Sequence, residues 1–154
     1  MTRSDTLFSV RYAVRVLERH SRKWNKISNI IRFFSLISGS AAIASLSATN
    51  NSLVLVSGIV FACLQALEFS INPSNLAAKS LIESQKYAII LANKKSYSKD
   101  DLEKEYLLVS AKDSVIVGSF LKELAYNDVA LEQNADPEEL YEISLLHRFF
   151  RMLS

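Results

Sequence analysis

The chain has 154 residues, with 18 Lys or Arg against 16 Asp or Glu and a formal net charge of +2. That length holds one domain, or a small domain joined to a membrane segment, and the near-balanced charge does not indicate a general nucleic-acid binder; no direct DNA binding is expected. A single cysteine excludes an intramolecular disulfide framework and a multi-cysteine zinc site, and three Gly with two Pro favour long helices over turns.

The first thirty or so residues are polar and basic, which does not read as a secretory signal. Residues 7–31 place Leu7, Val10, Ala13/Val14 and Leu17 near one helical face, joined less regularly by Trp24, Ile27 and Ile31. Arg11, Arg15, Arg19, Arg22 and Lys26 lie largely on another. Together with Lys23 and Arg32 they are expected to contact anionic lipid or partner helices. Residues 1–32 carry eight Lys or Arg against Asp5 and Glu18, a net of +6.

From Phe33 to Leu67 there are 35 residues without Asp, Glu, Lys or Arg. A charge-poor stretch of this length predicts two membrane-spanning helices, about 29–48 and 52–71, joined by the polar turn Thr49-Asn50-Asn51. A buried hairpin in a soluble domain would normally carry charges on its outward faces, whereas this stretch offers only Ser, Thr, Asn and Gln. The basic flank and the uncharged connecting loop place both termini in the cytoplasm.

Small residues share a side in each span: Ser35, Ser38, Gly39, Ala42, Ser45 and Thr49 in the first, and Gly58, Ala62 and Gln65 in the second. Such faces either zip the hairpin or pack several copies around an aqueous path. Gln65 leads as a pore-lining residue, because a side-chain amide facing lipid is costly. One hairpin cannot enclose a pore, so a channel requires a homo-oligomer of four or more copies. Cys63, inside the apolar run, reads as a buried structural thiol.

Beyond the hairpin, Asn72-Pro73-Ser74 opens a helix that runs to about Asn93. Ser98-x-x-Asp101 has the form of a capping box and opens another from about Lys99. Asp113 to Leu131 is expected to be helical as well. Asp136-Pro137-Glu138-Glu139 reads as the start of a last helix that ends with Arg148 and Arg151 near its negative pole. The predicted fold is therefore an all-α membrane protein: a basic amphipathic helix (1–32), a transmembrane hairpin (33–71) and a cytosolic helical bundle (72–154). Within that bundle Lys94, Lys95, Lys99, Lys104 and Lys112 are the candidates for an anionic-ligand site. Seven acids (Glu123, Asp128, Glu132, Asp136, Glu138, Glu139 and Glu142) suit either solvent or a basic partner such as the arginine-rich helix of a neighbouring subunit.

Chemistry is sparse. His20 and His147 with one cysteine make no metal-ligand spacing, and Gly39, Gly58 and Gly118 stand apart, so there is no phosphate loop. Asp100-Asp101 and Glu138-Glu139 lie at helix starts, where the helix dipole accounts for them. Arg15-x4-His20 matches the spacing of the ribonuclease motif of HEPN domains, and an arginine-rich helix accounts for it equally. No catalytic residue, metal or cofactor is assigned, and no enzyme is expected.

The order of these parts, with RYAVRVLERHSRKWNKISNII (from Arg11), SLISGSAAIASL (from Ser35), a very short turn, a second span and a helical tail, resembles the SLATT proteins. These are two-transmembrane effectors of bacterial nucleotide-signalling and reverse-transcriptase defence systems. The resemblance covers about residues 7–95. It implies an inner-membrane effector that forms pores and halts the growth of infected cells. It also implies a defence-system sensor protein, or its nucleotide or nucleic-acid signal, as the trigger, and no catalytic residues. The alternatives are a cyclic-oligonucleotide-gated type III CRISPR-associated membrane effector, which would need the tail lysines, and a soluble helical interaction module. A phage holin is a further one, although the long tail is unusual for a simple lysis pore.

Overall fold

The computed structural model describes residues 2–47, 51–136, 138 and 140–142. Among them are five helices and no strand: α1 (Arg3–Ser47), α2 (Asn51–Ile71), α3 (Pro73–Ala92), α4 (Lys99–Lys112) and α5 (Ser119–Glu132). They fall into two compact units. One comprises Met1–Lys23 and Ala77–Ser154, the other Trp24–Leu76.

The basic helix and the first predicted span run on as one helix. α1 is one helix of 45 residues, about 68 Å long at 1.5 Å per residue. Its start is a reciprocal capping box: Asp5 N donates to Thr2 Oγ1 at 3.2 Å and Thr2 N donates to Asp5 Oδ2 at 2.8 Å. No proline interrupts it. The turn between α2 and α3 is made by Asn72, at φ 47°, a left-handed conformation that Asn tolerates. Its N–H closes α2 on Glu68 O at 2.9 Å, and its Oδ1 accepts from Asn75 N at 3.2 Å, which caps α3. Pro73 follows, buried, at the first helical position.

α4 opens as the sequence predicts. Ser98 is extended, its Oγ accepts from Asp101 N at 3.2 Å, and it donates to Asp101 Oδ2 at 2.6 Å. The helix expected from Asp113 does not start there: residues 113–118 are not helical, and α5 begins at Ser119. Asp113 ends α4 with its N–H on Val109 O, and its carboxylate takes Val115 N at 2.9 Å. The β-branched run Val115-Ile116-Val117 then disfavours a new helix. Val117 is buried in the core while Ile116 stands in the open.

The Asp136-Pro137-Glu138-Glu139 start is not followed by α-helix over the described residues 138 and 140–142; Pro137, Glu139, Arg148 and Arg151 lie outside those described. The buried Asn127 amide holds this segment instead. Its Nδ2 donates to Tyr141 O at 2.8 Å and its Oδ1 accepts from Tyr141 N at 2.9 Å. Backbone groups that a first helical turn would leave open are thus bonded to a side chain of α5.

In the first unit, the initial six turns of α1 pack with α3, α4 and α5 around Val10, Val16, Leu17, Tyr87, Ile90, Leu102, Val117, Leu121 and Ala125. α3 runs antiparallel to α1: Ser21 Oγ donates to Ala77 O at 2.8 Å, and Arg3 Nη2 to Lys94 O at 2.7 Å. In the second unit, the rest of α1 and α2 form an antiparallel hairpin. Ser28 meets Ser74, Arg32 meets Glu68, and Gly39 abuts Phe61.

Candidate functional site

The hairpin unit carries its apolar side chains outward. Phe33, Phe34, Leu36 and Ile37 of α1 and Leu55, Val56, Ile59, Val60, Leu67 and Phe69 of α2 are all exposed. Among the described residues, one helical stretch, Val54–Ala92, is long and apolar enough to cross a membrane, and none of its apolar window is buried. The apolar part is α2, whose one charge is Glu68. Burial normally follows hydrophobicity in water, so this inversion calls for a non-aqueous surrounding or a partner.

The small residues divide. Ser35 is buried, with no hydrogen-bond partner for its hydroxyl. Ser38 and Gly39 are half-buried. A Cβ built on Gly39 would meet the Phe61 ring at 3.5 Å, which is van der Waals contact, so this glycine marks the close approach of the two helices. Gly58 is half-buried and a Cβ there meets nothing within 4 Å. Among the described side chains of α2 the half-buried ones are Val54, Ser57, Gly58, Leu64 and Glu68, and Ala62 and Gln65 are not among them. Both of those are exposed, although Gln65 follows Gly58 and Phe61 by seven and four residues and so shares their side of α2. Cys63 is exposed too, which corrects its reading as a buried thiol. The side chains of Ala42 and Ser45, and the whole of Thr49, lie outside those described.

A polar clasp closes the wide end of the hairpin. Arg32 Nε reaches Glu68 Oε1 at 3.4 Å and its Nη2 donates to Ser74 Oγ at 2.8 Å. The buried Ser28 hydroxyl bonds Ser74 Oγ at 2.7 Å and donates to Glu68 Oε1 at 3.3 Å. Glu68 Oε2 is buried without a partner. A carboxylate inside an apolar pair of helices needs this compensation, because an isolated ion there is expensive.

The basic residues of α1 do not act as one face. Arg15 and Arg19 are drawn into the chain's own α5: Arg15 pairs with Glu132, and Arg19 donates to Asp128 Oδ2 from Nε at 2.9 Å and from Nη2 at 2.5 Å. Two of the seven acids expected to suit either solvent or a basic partner, Asp128 and Glu132, thus meet arginines of the same chain. Arg22 lies 3.4 Å from Glu18, and Arg32 belongs to the clasp. Arg11 and Lys23 are half-buried, and Lys26 is exposed.

His20 is not brought into any arrangement with Arg15 that would move a phosphate. It is buried, with Nδ1 at 2.7 Å from Ser80 Oγ, and burial followed by the charge of Lys23 pulls its pKa down. Tyr87, buried in the core, has its pKa raised by desolvation and by Asp113, whose Oδ2 it approaches at 3.4 Å. The tail lysines are spread out. Lys94 and Lys95 sit in the turn after α3 and Lys99 opens α4, while Lys112 closes it, about 20 Å along the helix axis. Lys104 lies between them on an open apolar depression with Asp100, Glu103, Leu107, Leu108 and Ala111. Arg3, bonded to Lys94 O, is a basic neighbour of the Lys94 end that sequence reading did not associate with it.

Searches of protein-family models, curated proteins and solved structures return no match to this chain.

Proposed function

We propose that the chain is an oligomeric inner-membrane effector of a bacterial antiphage defence system, with both termini in the cytoplasm. Its hairpins assemble into a gated pore that depolarises the membrane and arrests growth. The membrane part of this reading is supported by one observation above all. The hairpin turns a belt of Phe, Leu, Ile and Val outward over a segment with no charge between Phe33 and Leu67, and it holds its one carboxylate at the end, against Arg32. Lipid rewards that distribution and water penalises it, by about 25 cal/mol for each Å² of apolar surface left exposed. The defence role rests on the resemblance to SLATT effectors. Gln65 and Ala62, both exposed on α2, are available to a neighbouring copy or to an aqueous path. The bundle unit receives the trigger.

Fractionation of expressing cells, followed by a native mass in mild detergent, tests the reading first. Membrane retention with four or more copies is expected, together with loss of membrane potential on triggering; each charge crossing is worth about 2.3 kcal/mol per 100 mV. Recovery from the cytosol without detergent refutes it.

A further inference from the structure

The face that α3 turns into the bundle unit sets Ser80, 0% exposed, Ser84, 3%, and Glu83 beside the core residues Tyr87 and Ile90, while Ile82 at 55% and Ile89 at 60% stand in the open. The buried polar groups are matched: Ser80 by His20, and Glu83 by Lys86 Nζ at 2.8 and 2.9 Å. The exposed apolar groups are not covered by the described residues of their own unit. Leu81 adds to them at one border.

Their spacing is ordered. Ala78, Ile82, Gln85, Ile89 and Ala92 are all exposed and follow one another at intervals of four, three, four and three residues. That is the seam of a coiled coil, with the isoleucines at one core position and Ala, Gln, Ala at the other. A lone polar residue in such a seam fixes register. The flanking Lys86 is paired with its own Glu83, which lowers the like charge along this side, where Lys79 is exposed one heptad earlier.

We propose that this face of α3 pairs with the same face of a second copy, in parallel, so that Gln85 lies beside Gln85 of that copy. The seam follows from the bundle unit by itself. Its parallel sense rests on the membrane reading, because copies inserted in one bilayer share one orientation and are related by an axis along the membrane normal.

Site-directed cross-linking of the full-length protein in native membranes tests this. In a Cys63→Ser background, single cysteines are placed by Ile82→Cys, Gln85→Cys and Ile89→Cys, with Ser114→Cys as an exposed control. Mild oxidation is expected to give a disulfide dimer at each of the three seam positions, several-fold above the control. Three control-level signals overturn the seam. A dimer at position 85 alone, with 82 joining only to 89 when the two variants are co-expressed, overturns the parallel sense. As an independent measure, Ile82→Glu with Ile89→Glu is expected to lower the native mass while leaving helix content and Tm unchanged. Unfolding of that variant would mean that the chain covers this face itself, and the proposal falls. Should fractionation place the protein in the cytosol while all three cysteines still cross-link, the pore reading fails and the seam stands.

Discussion

Asp128→Ala removes the carboxylate that α5 sets against Arg19 and Arg15 of α1. The Arg19 guanidinium is 12% exposed and places two nitrogens on one oxygen of Asp128, itself 27% exposed. Removing the carboxylate leaves a nearly buried cation with neither bond. Full burial would make that cost about 3–5 kcal/mol. The partial exposure of Asp128 admits water to the guanidinium, and the loss falls to about 2–3 kcal/mol, the range of a charged hydrogen bond. For a chain of this size that lowers Tm by roughly 5–10 °C. Arg19→Leu with Asp128→Ala removes both charges and is expected to cost less than the two single losses added together, since each single variant strips the other group of the bonds they share. Thermal unfolding of the detergent-solubilised protein by circular dichroism measures all four members of the cycle. An Asp128→Ala variant as stable as the parent, or a double variant whose loss equals the sum, refutes the pairing of α1 and α5 within one chain.

Three more outcomes are expected. Gly39→Ala is neutral or slightly stabilising, because its Cβ makes ordinary contact with Phe61, whereas Gly39→Leu overpacks the hairpin by about 1–3 kcal/mol; comparison of the two melting curves checks both. Asn127→Ala removes two hydrogen bonds to the Tyr141 backbone, at a cost of about 1–3 kcal/mol, and opens that segment to limited proteolysis. Because His20 is harder to protonate when folded, the unfolded chain binds the extra proton as pH falls below about 6.5. Stability is then complete above that value and declines from there down to the lower folded pKa. Denaturant midpoints at pH 7.5, 6 and 5 should show the decline, and His20→Gln should flatten it.

Helix was legible wherever a local signal sufficed. The Ser98-x-x-Asp101 cap, Asn72-Pro73, the absence of any strand pattern and the charge-free run each act over one or two turns, and the chain obeys them. Local signals misled where a distant side chain competes for the same backbone. Asp136-Pro137 has the residues of a helix start, but Asn127, ten residues earlier on α5, takes the Tyr141 amide and carbonyl. Asp113 reads as a cap and serves as one, for the helix behind it rather than a helix ahead.

Partnership was not legible at all. The arginines of α1 and the acids of α5 are more than a hundred residues apart in sequence, and periodicity cannot say whether such groups meet lipid, a second copy or each other. Only the fold brings α5 against α1 and joins them. The same holds for α3: its sequence alternates Ser, Glu and Ile without announcing a core, and the packing of Ser80 and Ala77 against His20 and Ser21 of α1 decides that Ser80, Ser84 and Ile90 go in and Ile82 and Ile89 out. Composition by itself determined that the chain is helical with an apolar hairpin, because those properties follow from local propensity and solvent preference. Which face of each helix is spent inside the chain, and which is left for something else, is a matter of long-range contact, and tertiary structure alone decides it.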